Sequence, residues 1–145
     1  MRRPKIQILD QGYTIDRAFF RSKLETAARR IGLGGTVAIK LGGNDESRRL
    51  NATYLKKDVA TDVLSFPIHQ QLPEGYHAGD VFVCVTVAES QAESAGVCLK
   101  KELLTLMLHG LLHLAGYDHE TDRGQMRRLQ IDLMAELWTE ADGGD

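Results

Sequence analysis

The chain has 145 residues, of which 43% are hydrophobic and 26% are charged. This length and apolar content predict one domain, spanning residues 1–145, with a sizeable core. The formal net charge of −2 excludes a global attraction to nucleic acid, so any anion binding has to be local. No run reaches the roughly 18 apolar residues of a transmembrane helix, and the start, MRRPKIQILD, is too polar for a signal peptide. We expect a cytoplasmic protein with no membrane partner.

The hydrophobic pattern alternates between strand and helix signals and predicts an α+β or mixed-sheet domain. In chain order we first expect a strand KIQILD, a helix from a Thr14 cap to Ile31 that the glycines of 32–35 end, a strand TVAIKL and a helix over 45–57. An edge strand VLSFPI containing Pro67, a polar loop from His69 to Ala78 and a central strand VFVCVTV should follow. The last three elements are a short helix over 88–95, an apolar helix from about Leu99 and a helix over 121–140.

Cysteines, loop histidines and a basic group carry weaker signals. Cys84 and Cys98 lie in apolar contexts and are expected to be reduced, buried thiols of a cytosolic protein. We interpret His69 and His77 as ordinary surface residues. The basic group comprises Arg48, Arg49, Lys56 and Lys57. It is either a solvated helix face or, if a metal site lies nearby, a phosphate-binding surface.

Three of the five histidines lie within eleven residues, in the stretch LMLHGLLHLAGYDHE. His109 and His113 are four residues apart, which on a helix means a rotation of only about 40° and an advance of about 6 Å. Both imidazoles therefore project from one face, close enough to share a metal ion. Gly116 allows the helix to end and the chain to turn, so that His119 can return to the same point. The alternative for an isolated His pair is coincidence, but the third His after a helix breaker favours a metal site.

Three histidines without an obvious fourth ligand indicate an open coordination position, as in catalytic zinc sites. The chemistry expected of such a site is metal-assisted hydrolysis or transfer, with a metal that polarises water or a bound phosphoryl or carbonyl oxygen. Asp118 precedes the last His. It is a candidate acid–base group or hydrogen-bond acceptor behind a ligand, and equally a turn residue or helix cap.

The pattern H-x-x-x-H-x-x-G-x-x-H is similar to the metzincin protease signature except at one position. Those proteases have a Glu general base directly after the first His. Here that position is Gly110, which has no side chain to accept a proton. A hydrolase of peptides or small esters is therefore an alternative that Gly110 disfavours.

Two separated stretches resemble the YbeY family of metal-dependent endoribonucleases. The first is LMLHGLLHLAGYDHE, including the Gly after the first His. The second is RRLNATYLKKDVATDVLSFP, which retains Leu50, Asn51, Tyr54, Asp58 and the run from Thr61 to Pro67. Gly79 and Asp80 also resemble the family, so that the resemblance spans nearly the whole chain.

The resemblance implies a mixed four-stranded sheet with about five helices, and a metal site on a central helix and the following turn. It implies one Zn²⁺ per chain on His109, His113 and His119, and cleavage of single-stranded RNA in small-subunit rRNA maturation and ribosome quality control. The implied partners are ribosomal RNA and proteins of the small ribosomal subunit. The VLSFP strand would line the cleft and offer its backbone and Ser65 to the substrate.

One position departs from the family pattern. Members usually have Arg directly after the motif's Tyr, whereas Leu55 follows Tyr54 here. An apolar side chain cannot contact phosphate, and we hypothesise that Lys56 or Lys57 takes over, with Arg49 as a further cation. The alternative is that these lysines are solvated. A non-catalytic ribosome-assembly factor with a structural metal is a further alternative function that the missing Arg makes more credible.

Overall fold

The computed structural model describes residues 2–118 and 121–143. Within them lie four strands, five α-helices and one 3₁₀ turn. The strands are β1 (Pro4–Leu9), β2 (Gly35–Gly42), β3 (Val63–Leu72) and β4 (Gly75–Cys84). The helices are α1 (Arg17–Ile31), α2 (Asn44–Leu55), α3 (Val85–Ala95), α4 (Leu99–Leu114) and α5 (Gln125–Leu137), and the 3₁₀ turn is Glu140–Gly143. The α+β class is confirmed.

The four strands form one mixed sheet in the order β1-β2-β4-β3. β1, β2 and β4 run parallel, and β3 pairs antiparallel with β4. β3, with Pro67 in it, is therefore an edge strand and β4 is internal, which confirms both predicted positions. The register of the β3–β4 pair shifts between Pro67 and Gln70.

The predicted loop from His69 to Ala78 is wrong, because these residues extend β3 and β4 into a hairpin. The outer part of β3 is exposed on both faces, so its polar residues do not alternate with apolar ones. Without that alternation, the sequence gives no strand signal there. A tight turn over Pro73 and Glu74 joins the two strands.

Three predicted boundaries also need correction. The cap of α1 is Asp16, whose Oδ1 accepts a hydrogen bond from Phe19 N at 3.1 Å, and not Thr14. The apolar run VFVCVTV is strand only to Cys84, and its last three residues form the first turn of α3, since apolar runs occur in both kinds of element. α5 begins at Gln125 rather than 121, after Asp122 accepts hydrogen bonds from Gly124 N and Met126 N.

The main core lies between one face of the sheet and α4. Nine residues of α4 are buried, as its nearly continuous apolar sequence predicts. α1, α3 and α5 pack around it. α2 covers the opposite face of the sheet, where Leu50 packs against Leu64 and Phe82 in a smaller cluster. α4 is thus a central helix held on several sides, a rigid base for side chains that have to converge.

Both cysteines are free. Cys84 is buried as predicted, but Cys98 is exposed, because it precedes α4 at a surface turn. Among the described residues, no helix combines the length and apolarity needed to cross a membrane.

Candidate metal centre

His109 and His113 point at each other from one face of α4. Their Nε2 atoms lie 3.1 Å apart, and their ring centroids are 4.7 Å apart. Two imidazole nitrogens bound to one tetrahedral zinc at about 2.0–2.1 Å would be separated by about 3.3 Å. The two rings therefore already have almost the spacing that a shared zinc ion requires, as their offset along the helix predicts.

Gln130 of α5 orients the first of these rings. Its Oε1 lies 3.1 Å from Nδ1 of His109, and its Nε2 donates to the carbonyl of Thr105 at 3.2 Å. An amide oxygen only accepts, so Nδ1 of His109 has to carry the proton. The lone pair of Nε2 then faces His113, in the tautomer that a metal ligand needs.

The chain turns sharply after α4, as Gly116 predicts. Gly116 adopts φ +98°. Its N–H donates to His113 O, and the N–H of Tyr117 donates to Leu112 O, both at 3.0 Å. The carbonyl of Asp118 accepts from the N–H of Asp122 at 3.1 Å, so the backbone of Asp118 belongs to a turn, one of the two predicted roles.

His119, the predicted third ligand, lies outside the described residues. Within residues 2–118 and 121–143, no three His, Cys, Asp or Glu side chains are grouped to hold a metal ion. The described part of the site is the His109–His113 pair. Its donor set fits zinc, because both nitrogens are neutral imidazole donors at ligand spacing and one is fixed from behind by Gln130.

At Gly110, α4 packs directly against the sheet. A Cβ at this position would be 2.6 Å from Cγ1 of Val81 and 3.3 Å from Oγ of Ser65. Oγ of Ser65 donates to the carbonyl of Gly110 at 3.3 Å. The position therefore has no room for the glutamate of the metzincin pattern, and Ser65 lies beside the histidine-bearing turn of α4.

The predicted cations lie on another element. Arg49 is on α2, and Lys56 ends that helix in the left-handed conformation, with Lys57 next to it. All three are exposed. α2 packs on the face of the sheet opposite to α4, so the sheet lies between these cations and the histidines. Leu55 is 53% exposed, in keeping with a position that faces solvent rather than the core.

Sequence reasoning did not identify two residues that contact α4, Gln130 and His69. His69, expected to be an ordinary surface residue, has φ +48° at the irregular part of β3. Its Nε2 lies 2.8 Å from the carbonyl of Leu114, the residue after His113. Neither Gln130 nor His69 has a local motif that could reveal it, because each meets α4 only through tertiary packing.

An acidic contact lies towards the start of α4. Burial raises the pKa of Glu102, and the nearby carboxylate of Asp62 raises it further. Asp62 also accepts from Val63 N at 2.7 Å and from Gln91 Nε2 at 3.3 Å. Asp62 is thus held by donors, and its charge disfavours ionisation of Glu102.

The chain matches known proteins over most of its length. A family model described as endoribonuclease YbeY matches residues 9–138. The endoribonuclease YbeY of Koribacter versatilis (strain Ellin345) is 42% identical over 114 residues, covering 79% of this chain and 72% of that protein. That of Pseudomonas putida (strain W619) is 39% identical over 128 residues, covering 86% and 82%.

A solved structure shares the fold. The solution structure of TM1509 from Thermotoga maritima matches with a TM-score of 0.65 at 31% identity, over 94% of this chain and 91% of that one. The family match includes α4 with its histidine pair and the whole of β3 and β4. The chain therefore belongs to the YbeY family of endoribonucleases.

Proposed function

We propose that this chain is a zinc-dependent endoribonuclease that cuts single-stranded RNA, with one zinc ion held by His109, His113 and His119. The observation that carries the proposal is the 3.1 Å approach of the two Nε2 atoms, in a chain of this family. Gln130 supports it, because histidine ligands of metal ions typically donate their other ring N–H to such an acceptor.

A zinc ion at this position would supply Lewis acidity towards a water molecule and towards the scissile phosphate. The protein's own part is to hold the ligands in place. Gln130 fixes the tautomer and orientation of His109, and the packing of Gly110 on Val81 fixes the height of α4 above the sheet. We assign Asp118 as the residue that accepts or returns a proton, because it lies in the turn directly after the two histidines.

The substrate is proposed to lie along β3. This strand ends the sheet, so one side of its backbone faces outward. Ser65, beside Gly110, would contact the RNA near the cleaved bond. After the RNA has passed around the β3 edge to the other face of the sheet, its phosphates would contact Arg49, Lys56 and Lys57. Lys56, which is exposed at the end of α2, would meet a phosphate as a point charge.

The cellular role belongs to the same proposal. Ribosomal RNA of the small subunit is the proposed substrate, with small-subunit proteins as partners in maturation and quality control. A reducing cytoplasm suits an exposed thiol such as that of Cys98. All of residues 1–145 would act as one catalytic domain, since the sheet and α4 share one core.

The test is a cleavage assay on a labelled single-stranded RNA and on the same sequence as a duplex. We expect the zinc-loaded protein to cut the single strand and spare the duplex, to lose activity on chelation, and to regain it with zinc. His109→Ala, purified identically, controls for contaminating nuclease and should be inactive.

Two results would contradict the proposal. Cleavage by His109→Ala at the rate of the unmodified protein would assign the activity elsewhere. RNA binding without turnover, together with a lower Tm after chelation, would instead indicate a structural metal in a non-catalytic assembly factor.

A further inference from the structure

Four cationic side chains surround a shallow pocket at the end of the sheet where β1, β2 and β4 begin. We call this group the N-terminal basic cluster, and it comprises Arg2, Arg3, Lys5 and Arg29. The pocket measures about 570 Å³, and its lining also includes Tyr76 and one carboxylate, that of Glu25. All four cationic side chains belong to exposed residues.

The cluster is held in place by two glycines that let the N-terminal segment come close. A Cβ at Gly34 would be 2.4 Å from the carbonyl oxygen of Arg2, and one at Gly35 would be 2.6 Å from the Tyr76 ring. Gly35 N donates to the carbonyl of Arg3 at 3.2 Å. The guanidinium of Arg2 lies 3.9 Å from the centroid of the Tyr76 ring. Arg2 and Arg3 are therefore fixed to the sheet rather than loosely attached.

Most of the cluster's positive charge remains available to a ligand. The ion pairs found among residues 2–118 and 121–143 involve other cations, and none includes a member of the cluster. The next arginine on α1, Arg30, is by contrast paired with Glu136. Four cations beside the single carboxylate of Glu25 make a local positive surface, although the chain as a whole has a net charge of −2.

A short chain of contacts links this cluster to the histidine-bearing helix. Tyr76, under Arg2, has its hydroxyl 3.1 Å from Nδ1 of His69. Nε2 of the same His69 lies 2.8 Å from the carbonyl of Leu114, the residue after His113. Leu114 itself packs on Gly79, four residues after β4 begins at the cluster. His69 and Tyr76 thus connect the end of the histidine-bearing helix to the cluster.

We propose that the N-terminal basic cluster binds the backbone phosphates of the RNA strand that leaves the metal centre. This inference rests on the proposed function for its substrate, and it adds a second contact surface to it, distinct from the α2 cations. Phosphates suit the site because exposed, unpaired Arg and Lys around an open pocket favour a polyanion, whose condensed counterions are released on binding.

The test compares RNA binding by Arg3→Gln/Lys5→Gln/Arg29→Gln with that of the unmodified protein. Arg2 stays unchanged because it stacks on Tyr76. Arg29→Gln alone is also measured, and Arg21→Gln, which removes one exposed arginine of the same helix outside the pocket, is its charge-matched control. Fluorescence anisotropy of labelled single-stranded RNAs of two lengths, at several salt concentrations, gives the affinities. A chelator prevents cleavage during the binding titration, and a gel confirms that the RNA stays intact. A separate assay of the same proteins with added zinc measures cleavage.

We expect the slope of log K against log salt to fall by about 2 in the triple variant, since each phosphate contact on a single strand contributes about 0.7. The advantage of the longer RNA over the shorter one should shrink in the same variant, and Arg21→Gln should keep both. An unchanged slope in the triple variant, or a loss in Arg21→Gln equal to that in Arg29→Gln, would overturn the proposal. If the triple variant still cleaves RNA and its slope is unchanged, the proposed endoribonuclease activity is kept and RNA binding by the cluster is rejected. If binding depends on the cluster but the protein does not cleave RNA, the proposed endoribonuclease activity is rejected instead.

Discussion

One ring nitrogen of His109, Nδ1, is hydrogen-bonded within the protein and is therefore not available to a metal ion. Its Nδ1 meets Gln130, and the same amide is fixed by the carbonyl of Thr105. The offset of His109 and His113 makes the pair predictable from sequence, because four residues span about one helical turn. Gln130 was not predictable, since a single glutamine on another helix matches no spacing rule.

Gln130→Ala is expected to lower zinc affinity by about 10–100-fold, the usual effect of removing a partner behind a ligating histidine. The loss should come from a His109 ring that no longer holds its tautomer. Competition with a chromophoric zinc chelator measures it. Gln70→Ala, at an exposed position of β3, is the control and should bind zinc as the unmodified protein does. Equal affinities for all three proteins would show that Gln130 does not orient a ligand.

At the scale of elements, the fit of α4 on the sheet decides where the histidines stand. The apolar sequence of α4 predicted a buried helix, and Pro67 predicted an edge strand, because both signals reflect local chemistry. The outer β3–β4 hairpin was missed, since its exposed polar residues lack any alternation. The close approach at Gly110 was equally invisible, because it depends on Val81 from a distant strand.

Gly110→Ala should destabilise the protein by about 1–3 kcal/mol, as overpacking of a filled core does. Alanine is the better helix former by about 1 kcal/mol, but a 2.6 Å contact with the buried Val81 outweighs that gain. Chemical denaturation measures the change. Gly43→Ala, whose added Cβ would meet nothing closer than 3.6 Å, should cost less. A Gly110→Ala protein as stable as the unmodified one would mean that α4 can shift away from the sheet and accommodate the added methyl group at no cost.

Glu102 adds a pH dependence to the same helix. Burial and Asp62 raise its pKa, so ionising it weakens the fold. Its contribution to stability is largest below the unfolded-state pKa of about 4.3 and is lost as the pH rises through the raised folded-state value. Glu102→Gln should therefore raise Tm by about 1–2 °C at neutral pH and by less at acid pH. Thermal unfolding across that range measures it, and a Tm difference that grows towards acid pH would contradict the sign.

At the scale of the whole molecule, the two faces of the sheet carry different groups of candidate functional residues. α4 and the histidines occupy one face, and α2 with Arg49, Lys56 and Lys57 occupies the other. The sequence pattern identified both groups but not their separation, because the order of strands in the sheet decides it. The N-terminal basic cluster likewise depends on three distant segments meeting at one end of the sheet.

The metal content of His113→Ala tests the central assignment most directly. Elemental analysis of the protein, purified in buffer with added zinc and then desalted, gives zinc per chain. We predict about one zinc in the unmodified protein and in His77→Ala, whose imidazole meets Asp80 instead, and a small fraction of that in His113→Ala. Equal zinc in all three proteins would contradict the account, because a metal retained without His113 cannot be the one shared with His109.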